Sequence, residues 1–542
     1  MEKAEEAIAS GLWIAGYVSY EAGSGWDEAL KTHAPGELPV AVLAAFQNPE
    51  IASPPPFPGK TLRIRGSLGI AREEFNESIA QIREAIRQGD TYQVNYTYPI
   101  RSTWKEDPYD LFRQLLYAQA ATYGAYLDLG RFAICSASPE LFFRRDGDLV
   151  RSRPMKGTLR RASTPEGGAP LRLTGSEKDR AENLMIVDMV RNDMSKICEP
   201  GSVTVPDRFM LEAYPTVWQL TSRVHGRSKA GLSEVFGALF PPASITGAPK
   251  AAAMGYIRTL ETGPRGVYTG TIGFAAPDGR AQFNVAIRTA VVDKQKSEMV
   301  YHVGGGIVSD STAESEYDES IAKAAILYRD RPEFDLLETI RWDPGSGYFL
   351  LDRHLARMAL AAGFFGYKID VTRLRKNLQR AAGQFSDNAR RVRVTSNAAG
   401  ETLIESIVLR PAPFSTAPRV AIAPARVPSA DPFLQYKTTH RAIYSDMLAA
   451  CPEADDVLLV NERGEVTESC YGNVFVERDG ETTTPPVTSG LIPGTLRAEL
   501  LEAGEVQERV LLIDDLATVE AITIGNSVRG RYPIGNLLLR DA

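Results

Sequence analysis

Apolar residues recur at helical spacing over residues 73–88, where Phe75, Ile79, Ile82 and Ile86 fall on one face and predict an amphipathic helix. Gly89–Asp90 ends it, and Tyr92–Thr97 restarts as strand. Residues 11–20 (GLWIAGYVSY) read as a strand closed by a turn at Glu21–Gly25, and the prolines of 50–60 make a loop. Further strands are predicted at 123–128, 131–136, 141–144 and 148–150, then a long loop from Lys156 to Ser176 and a helix over 177–193. Helices near 249–261 and 316–328 enclose strands near 268–275, 283–290 and 298–303. This mixed order without a βαβ period predicts an α+β domain of packed sheets with peripheral helices.

The pattern restarts at 328–334, where charge and proline run together. Residues 335–412 form a small mixed unit with helices at 353–363 and 371–383. Residues 413–432 are Pro/Ala-rich and read as a connector, and 433–542 form a further α/β unit with a strand at Asp456–Val460. The predicted domains are therefore 1–330 and 331–542, the second with subdomains at about 335–412 and 433–542. The short seam predicts that the halves sit close together.

Length agrees: 542 residues exceed the roughly 250–300 that one hydrophobic core usually serves. Apolar (44%) and charged (24%) fractions are those of a globular protein, which excludes bulk disorder. The balance of 61 basic and 68 acidic residues, net −7, leaves no basic stripe for nucleic acid. Arg151, Arg153, Lys156, Arg160 and Arg161 form one short basic cluster, suited to a small anion. Four cysteines in no zinc spacing read as reduced thiols. No signal-peptide pattern and no run of 18 apolar residues is found, so the expectation is a soluble, cytoplasmic protein without membrane contact.

Candidate chemistry in the first half centres on Lys156, bracketed by Pro154 and Gly157, and on Glu140 after Ser138–Pro139. The lysine is either solvated or a nucleophile; the glutamate is either a strand-start residue or a general acid. Glu182 lies in the predicted 177–193 helix, and Glu316 and Glu319 share a helical face. Such carboxylates are surface residues or hold a hard cation such as Mg²⁺. Gly304-Gly305-Gly306 reads as a tight turn or as an amide nest for a carboxylate. Arg288 lies mid-strand between apolar neighbours and calls for an anionic partner.

Together these stretches identify a family. GDTYQVN at 89–95, Ser138-Pro139-Glu140, Asp179 to Asp193, SITGAPK at 244–250, Ile287-Arg288-Thr289 and Gly304 to Glu319 stand in the order found in the chorismate-utilising enzymes, which residues 10–328 resemble. Anthranilate synthases carry alanine where this chain has Lys156, so the lysine resembles the aminodeoxychorismate synthase branch. The resemblance implies that Lys156 attacks C2 of chorismate while Glu140 protonates the departing 4-hydroxyl, and that ammonia enters at C4. It implies Mg²⁺ on Glu182 and Glu319, with Glu316 near the metal shell. Arg288, Tyr268 and the amides of Gly304, Gly305 and Gly306 would hold the enolpyruvyl carboxylate, and Ser244 and Thr246 would shape the ring pocket. Gln219 replaces a common family histidine and keeps a hydrogen-bonding role only. The shorter N-terminal region leaves the family's tryptophan pocket incomplete.

In the second half, Lys437 follows the Pro/Ala stretch, Glu468 ends a strand–turn–strand, and Gly490 to Arg497 is a turn feeding a helix N-terminus, a seat for phosphate. Residues 335–540 resemble the class IV pyridoxal-phosphate enzymes, a two-subdomain α/β fold. The resemblance implies that Lys437 binds the cofactor covalently and moves protons, that Glu468 pairs with the pyridine nitrogen, and that Arg357, the Ile492–Thr495 turn and the Thr523 turn hold the phosphate. The strands before Glu338 are shortened relative to the family, and the fused first half is expected to cover that edge. A homodimer through this half is the family expectation.

Lyase and transaminase both fit class IV motifs; the fusion favours a lyase acting on the first half's product. The expectation is a bifunctional enzyme making 4-aminobenzoate for folate, with an amino-acid aminotransferase second half as the alternative. Lys156 speaks against an anthranilate or isochorismate producer, and Lys437 with Glu468 against a merely scaffolding second half. No Gly-x-Cys-x-Gly turn occurs, so a separate glutamine amidotransferase subunit is expected to supply ammonia.

Overall fold

The computed structural model describes residues 1–50, 55, 62, 64, 66–160, 169–214, 217–328, 332–410 and 417–538. Most of the Pro-rich stretch at 50–60, Arg161, residues 161–168 of the predicted loop, 329–331 at the seam and 413–416 of the predicted connector lie outside the described residues, as does the Arg160 side chain. Among the described residues no helix is long and apolar enough to cross a membrane.

The 73–88 periodicity becomes helix Arg72–Gln88, with Phe75, Ile79 and Ile82 buried and Gly89 closing it at φ 85°. It packs in a first half built on two seven-stranded sheets. One contains strands Trp13–Val18, Leu141–Asp146, Leu149–Arg153 and Ala281–Asn284. The other centres on the long antiparallel pair Gln93–Thr103 and Glu298–Ile307, flanked by Thr289–Asp293 and Phe132–Ser138. Both sheets feed one core, where Phe143 stacks on Phe283 at 5.2 Å and Phe236 meets each edge-on.

In the second half, strands Leu336–Asp343, Arg390–Ser396 and Thr402–Val408 pack under helices Leu351–Phe365 and Val371–Ala382, around Phe334, Phe365, Leu374 and Leu378. The expected cover of the Leu336 edge comes from within this half: Leu337 N donates to Lys437 O at 3.1 Å. The first half touches this unit through Tyr117, edge-on to Phe364 at 5.6 Å.

A twelve-stranded sheet ignores the seam. Strands Met155–Arg160, Val217–Thr221 and Met210–Ala213 of the first half continue directly into Arg419–Val427, Asp456–Asn461, Val466–Ser469 and Asn473–Arg478 of the second. The junction is parallel, with Glu212 opposite Arg426. Leu211, Trp218 and Leu220 of one half share a hydrophobic core with Ala421, Val427, Tyr444 and Ile492 of the other.

Four sequence expectations change. The Pro/Ala connector carries a central strand, Arg419–Val427; its two faces enter different cores, Ala421 one and Val420 the other, so it lacks the alternation of a half-exposed strand. The predicted 156–176 loop begins inside strand Met155–Arg160 and includes helix Ala169–Gly175. Arg288 is not mid-strand: it sits between strands Ala281–Asn284 and Thr289–Asp293 at φ 53°. Gly304–Gly306 is no turn but lies within strand Glu298–Ile307, opposite Thr97, Tyr96 and Asn95.

Candidate active sites

Strand Met155–Arg160 carries Lys156 to the floor of a cleft of about 300 Å³, walled by helix Glu177–Ser195, helix Ala313–Ala324 and the 139–140 and 244–245 loops. Lys156 Nζ lies 3.0 Å from Glu182 Oε2. Burial works to lower the Lys156 pKa, but the carboxylates of Glu182, Glu319 and Glu316 outweigh it and hold the ammonium above the ordinary lysine range. Arg151 and Arg153 of the basic cluster lie on the neighbouring strand Leu149–Arg153 and have partners of their own: Arg151 pairs with Asp146 at 2.7 Å and Arg153 with Glu212 at 3.2 Å.

Glu140 is 3% exposed and accepts a hydrogen bond from Ser244 Oγ at 2.6 Å. Burial pushes its pKa up to about 7, against the lowering effect of Ser244. Ser311 Oγ donates to Glu316 at 2.6 Å, and Glu319 pairs with Lys323 at 2.7 Å. Lys323 Nζ also donates to Gly304 O at 2.9 Å. A β-carbon on Gly305 would stand 3.3 Å from Glu316 Oε2 and 3.9 Å from Glu319 Oε1, so these two carboxylates converge. A β-carbon on Gly306 would run into Lys156 Nζ. The glycines thus serve close approach, not chain reversal.

Tyr268 stacks on His302 at 5.1 Å, and burial, then the nearby Arg265 and Arg101, push the His302 pKa down to about 3, so its ring is neutral. Arg288 lines the cleft while donating to Lys323 O. Gln219 spends its amide on Gly157 O (2.8 Å) and accepts from Thr158 Oγ1 (2.9 Å). Thr246 is outside the lining; its hydroxyl bonds the Pro242 and Ala243 carbonyls and shapes the loop. Sequence reasoning missed Gln93. Its side-chain amide is fully buried beside Gly306, with neither oxygen nor nitrogen hydrogen-bonded among the described residues.

For Mg²⁺ the donor chemistry fits: Glu182, Glu316 and Glu319 present only hard carboxylate oxygens to one cleft. Among the described residues no three such side chains already form a closed metal cluster, and Lys156 and Lys323 balance the negative charge.

The second cleft, about 590 Å³, opens between the small sheet and the shared sheet. Lys437 is its half-buried amine; desolvation, then Arg357 and Arg441, lower its pKa to about 8. Glu468 faces the same space, accepts from Tyr444 Oη at 2.7 Å and Ile492 N at 3.3 Å, and is pushed up to about 7 by burial. Arg357 is gripped by Glu338 through two hydrogen bonds, 2.8 and 2.7 Å, and donates to Pro493 O at 3.0 Å. Glu338 also pairs with His354 Nδ1 at 2.6 Å, and His354 Nε2 lies 3.2 Å from Thr495 Oγ1. This buried carboxylate, held down to about 2 because Arg357 and His354 outweigh its burial, orients two cleft residues, Arg357 directly and Thr495 through His354. It was missed because its partners lie on a separate helix. Thr523 is not in the lining; its hydroxyl accepts from Arg531, and Gly525, Asn526 and Ser527 take its place.

A phosphorylated pyridine cofactor fits this cleft. Gly494, where a β-carbon would strike Asn473, leaves room at the N-terminus of helix Thr495–Glu502, with the Arg357 guanidinium alongside.

Residues 1–329 match the family model for chorismate binding enzymes, and residues 335–537 match that for class IV amino-transferases. Aminodeoxychorismate synthase component 1 of Klebsiella aerogenes is 41% identical over 268 residues, 48% of this chain and 59% of that protein. Anthranilate synthase component 1 1 of Haloarcula marismortui is 38% identical, over 55% of this chain and 60% of that protein. The crystal structure of anthranilate synthase component I from Streptococcus pneumoniae matches with a TM-score of 0.54 at 26% identity, over 60% of this chain and 85% of that one. The chain spans about three fifths of the length of these curated relatives. On the match of residues 1–329, the chain belongs to the chorismate binding enzyme family, and it carries a class IV amino-transferase domain behind that half.

Proposed function

We propose that the first cleft aminates chorismate to 4-amino-4-deoxychorismate and that the second converts this product to 4-aminobenzoate and pyruvate, for folate. The observation that carries the reading is the pairing, in one chain, of Lys156 and Glu140 in one cleft with Lys437 and Glu468 in the other.

In the first cleft, Lys156 Nζ, 3.0 Å from Glu182 Oε2, acts after its ammonium has given a proton to solvent. The freed amine bonds to C2 of the ring as the C4–O bond breaks, and Glu140, which burial keeps protonated well above the ordinary carboxylate range, gives the departing hydroxyl its proton. Ammonia then bonds to C4, the C2–N bond breaks, and Glu140 recovers a proton from the new amine; the sum is ammonia in and water out. Mg²⁺ on Glu182, Glu316 and Glu319 would neutralise these carboxylates and anchor the ring carboxylate. Arg288, Tyr268 and the strand around Gly304 would receive the enolpyruvyl carboxylate. A glutamine amidotransferase partner would supply the ammonia.

In the second cleft, Arg357, Thr495 and the Gly525–Ser527 turn would hold the phosphate of pyridoxal phosphate, Lys437 would join it, and Glu468 would face its ring nitrogen. The cofactor, when bound, supplies an electron sink. Lys437, with a pKa near 8, takes the C4 proton of the substrate; the C3–O bond breaks, the departing enolpyruvate takes that proton back from Lys437 and leaves as pyruvate, and the ring becomes aromatic.

The test is incubation with chorismate and ammonium, scored for 4-aminobenzoate and pyruvate. Lys156→Ala should abolish or greatly slow consumption of chorismate, and Lys437→Ala should let the aminated intermediate accumulate. Anthranilate or isochorismate as product would overturn the first assignment. Accumulation of the intermediate by the wild-type chain, with transamination of amino acids, would overturn the second.

A further inference from the structure

Glu468 meets the second cleft with its two oxygens unequally engaged. Oε1 accepts both of its hydrogen bonds, from Tyr444 Oη at 2.7 Å and from Ile492 N at 3.3 Å. Oε2 has no hydrogen-bond partner among the described residues, although the side chain is only 4% exposed. One oxygen is tied to the wall, and the other is left for a group that enters the cleft.

Tyr444 is held firmly for this task. It is a buried residue of helix Ala442–Ala449, and the Arg441 guanidinium lies over its ring, 3.9 Å from the centroid. Arg441 is itself fixed by donating to Cys470 O at 2.7 Å. Burial raises the Tyr444 pKa far above the ordinary phenol range, so the hydroxyl keeps its proton and donates it to the carboxylate. Tyr444 and Ile492 also belong to the core that Leu211, Trp218 and Leu220 of the first half complete, so this seat is a property of the whole chain.

A carboxylate that faces a ring nitrogen shares one proton with it, and the proton rests on the stronger base. Hydrogen bonds to the ionised carboxylate make it the weaker base. Around Glu468 the Tyr444 hydroxyl acts most strongly in this sense, ahead of Ile492 N, Arg441 and Lys437, and all four oppose burial.

We propose that Tyr444 is a positioning residue for the second reaction: by binding Oε1 of Glu468 it turns Oε2 toward the ring nitrogen of the cofactor and keeps the shared proton on that nitrogen. A protonated ring is the form that draws electrons from the substrate. The inference rests on the reading that Glu468 faces the ring nitrogen, and it assigns the next residue behind that carboxylate.

The experiment loads the full chain with pyridoxamine phosphate labelled with nitrogen-15 in its ring. This probe lacks the aldehyde that would join Lys437, so the lysine stays out of the readout. The dissociation constant, the ring nitrogen-15 chemical shift and the melting temperature of the cofactor-free chain are measured. Glu468→Gln removes the carboxylate and marks the shift of an unprotonated ring. Tyr444→Phe, which deletes one oxygen and keeps the ring under Arg441, should raise the dissociation constant about tenfold and move the shift toward the Glu468→Gln value. An unmoved shift overturns the proposal. So does weaker binding that comes only with a falling melting temperature, the mark of a merely structural role. Replacing Tyr444 by 3-fluorotyrosine, nearly the same in shape and a stronger donor, should hold the shift at the wild-type value or beyond it on the protonated side. Movement toward the Glu468→Gln value there overturns the proposal even where Tyr444→Phe fails to fold. A shift that Glu468→Gln leaves unchanged would instead overturn the placement of Glu468 at the ring nitrogen, and the role of Tyr444 with it.

Discussion

Glu140 is where pH acts on the first reaction. Its carboxyl is pushed up to about 7 by burial, and the role assigned to it needs the protonated form. At constant free ammonia, the rate of chorismate consumption should therefore fall as pH rises through about 7, and Glu140→Gln should lose roughly 10²–10⁴-fold below that pH, with the deficit narrowing above it; a rate rising across that interval would remove Glu140 as the acid. Glu338 behaves oppositely. Held down to about 2 by Arg357 and His354, it contributes stability that is complete above the ordinary carboxylate range and is lost as pH falls toward 2. Glu338→Ala should cost about 3–5 kcal/mol in urea unfolding, by leaving the buried Arg357 charge unpaired. The two lysines and Glu140 were legible because their neighbours in sequence mark them. Glu338 was not, because its meaning lies in His354 and Arg357, 16 and 19 residues away on another element. Gln93 sat in plain view inside a family stretch, but only the structure shows its amide without a partner.

The strand Glu298–Ile307 shows how a single element can mislead. Three adjacent glycines read as a turn because glycine tolerates turn conformations, yet here they keep the ladder to Gln93–Thr103. What they lack, a β-carbon, matters differently at each position. At Gly304 it would strike the Tyr96 backbone carbonyl, which cannot move without breaking the sheet; at Gly306 it would meet the tip of Lys156 and stand 2.7 Å from Gln93 Nε2, both flexible. Gly304→Ala should therefore lower the melting temperature, while Gly306→Ala should fold nearly as the parent and lose amination. Thermal melts beside chorismate assays separate the two, and equal melts would refute the distinction. Helices such as Arg72–Gln88 were read closely because their periodicity is local, whereas Arg288 was misplaced because a strand break at φ 53° leaves no mark among apolar neighbours.

Across the whole molecule, the two sides of the seam expected at 328–334 are bridged in space. Glu212 accepts from Tyr214 Oη at 2.7 Å and Thr221 Oγ1 at 2.8 Å, pairs with Arg153, and stands opposite Arg426 of the second half. Arg153 and Arg223 in turn both donate to Glu462 O across the junction. Scanning calorimetry should show the two halves unfolding in one transition, and Glu212→Ala should lower it by the roughly 3–5 kcal/mol of a broken buried pair or split it in two. Two transitions in the parent chain would show the shared sheet to be a weak joint. This joint was illegible because the Pro/Ala-rich composition of 413–432 marks a connector in most chains and surrounds a doubly covered strand, Arg419–Val427, in this one. Its consequence reaches protein engineers. Severing the chain between the catalytic units would bare a row of unbonded amides and carbonyls on each fragment, the template on which proteins stick together, so neither unit is a ready-made cassette until that edge is given a new cover.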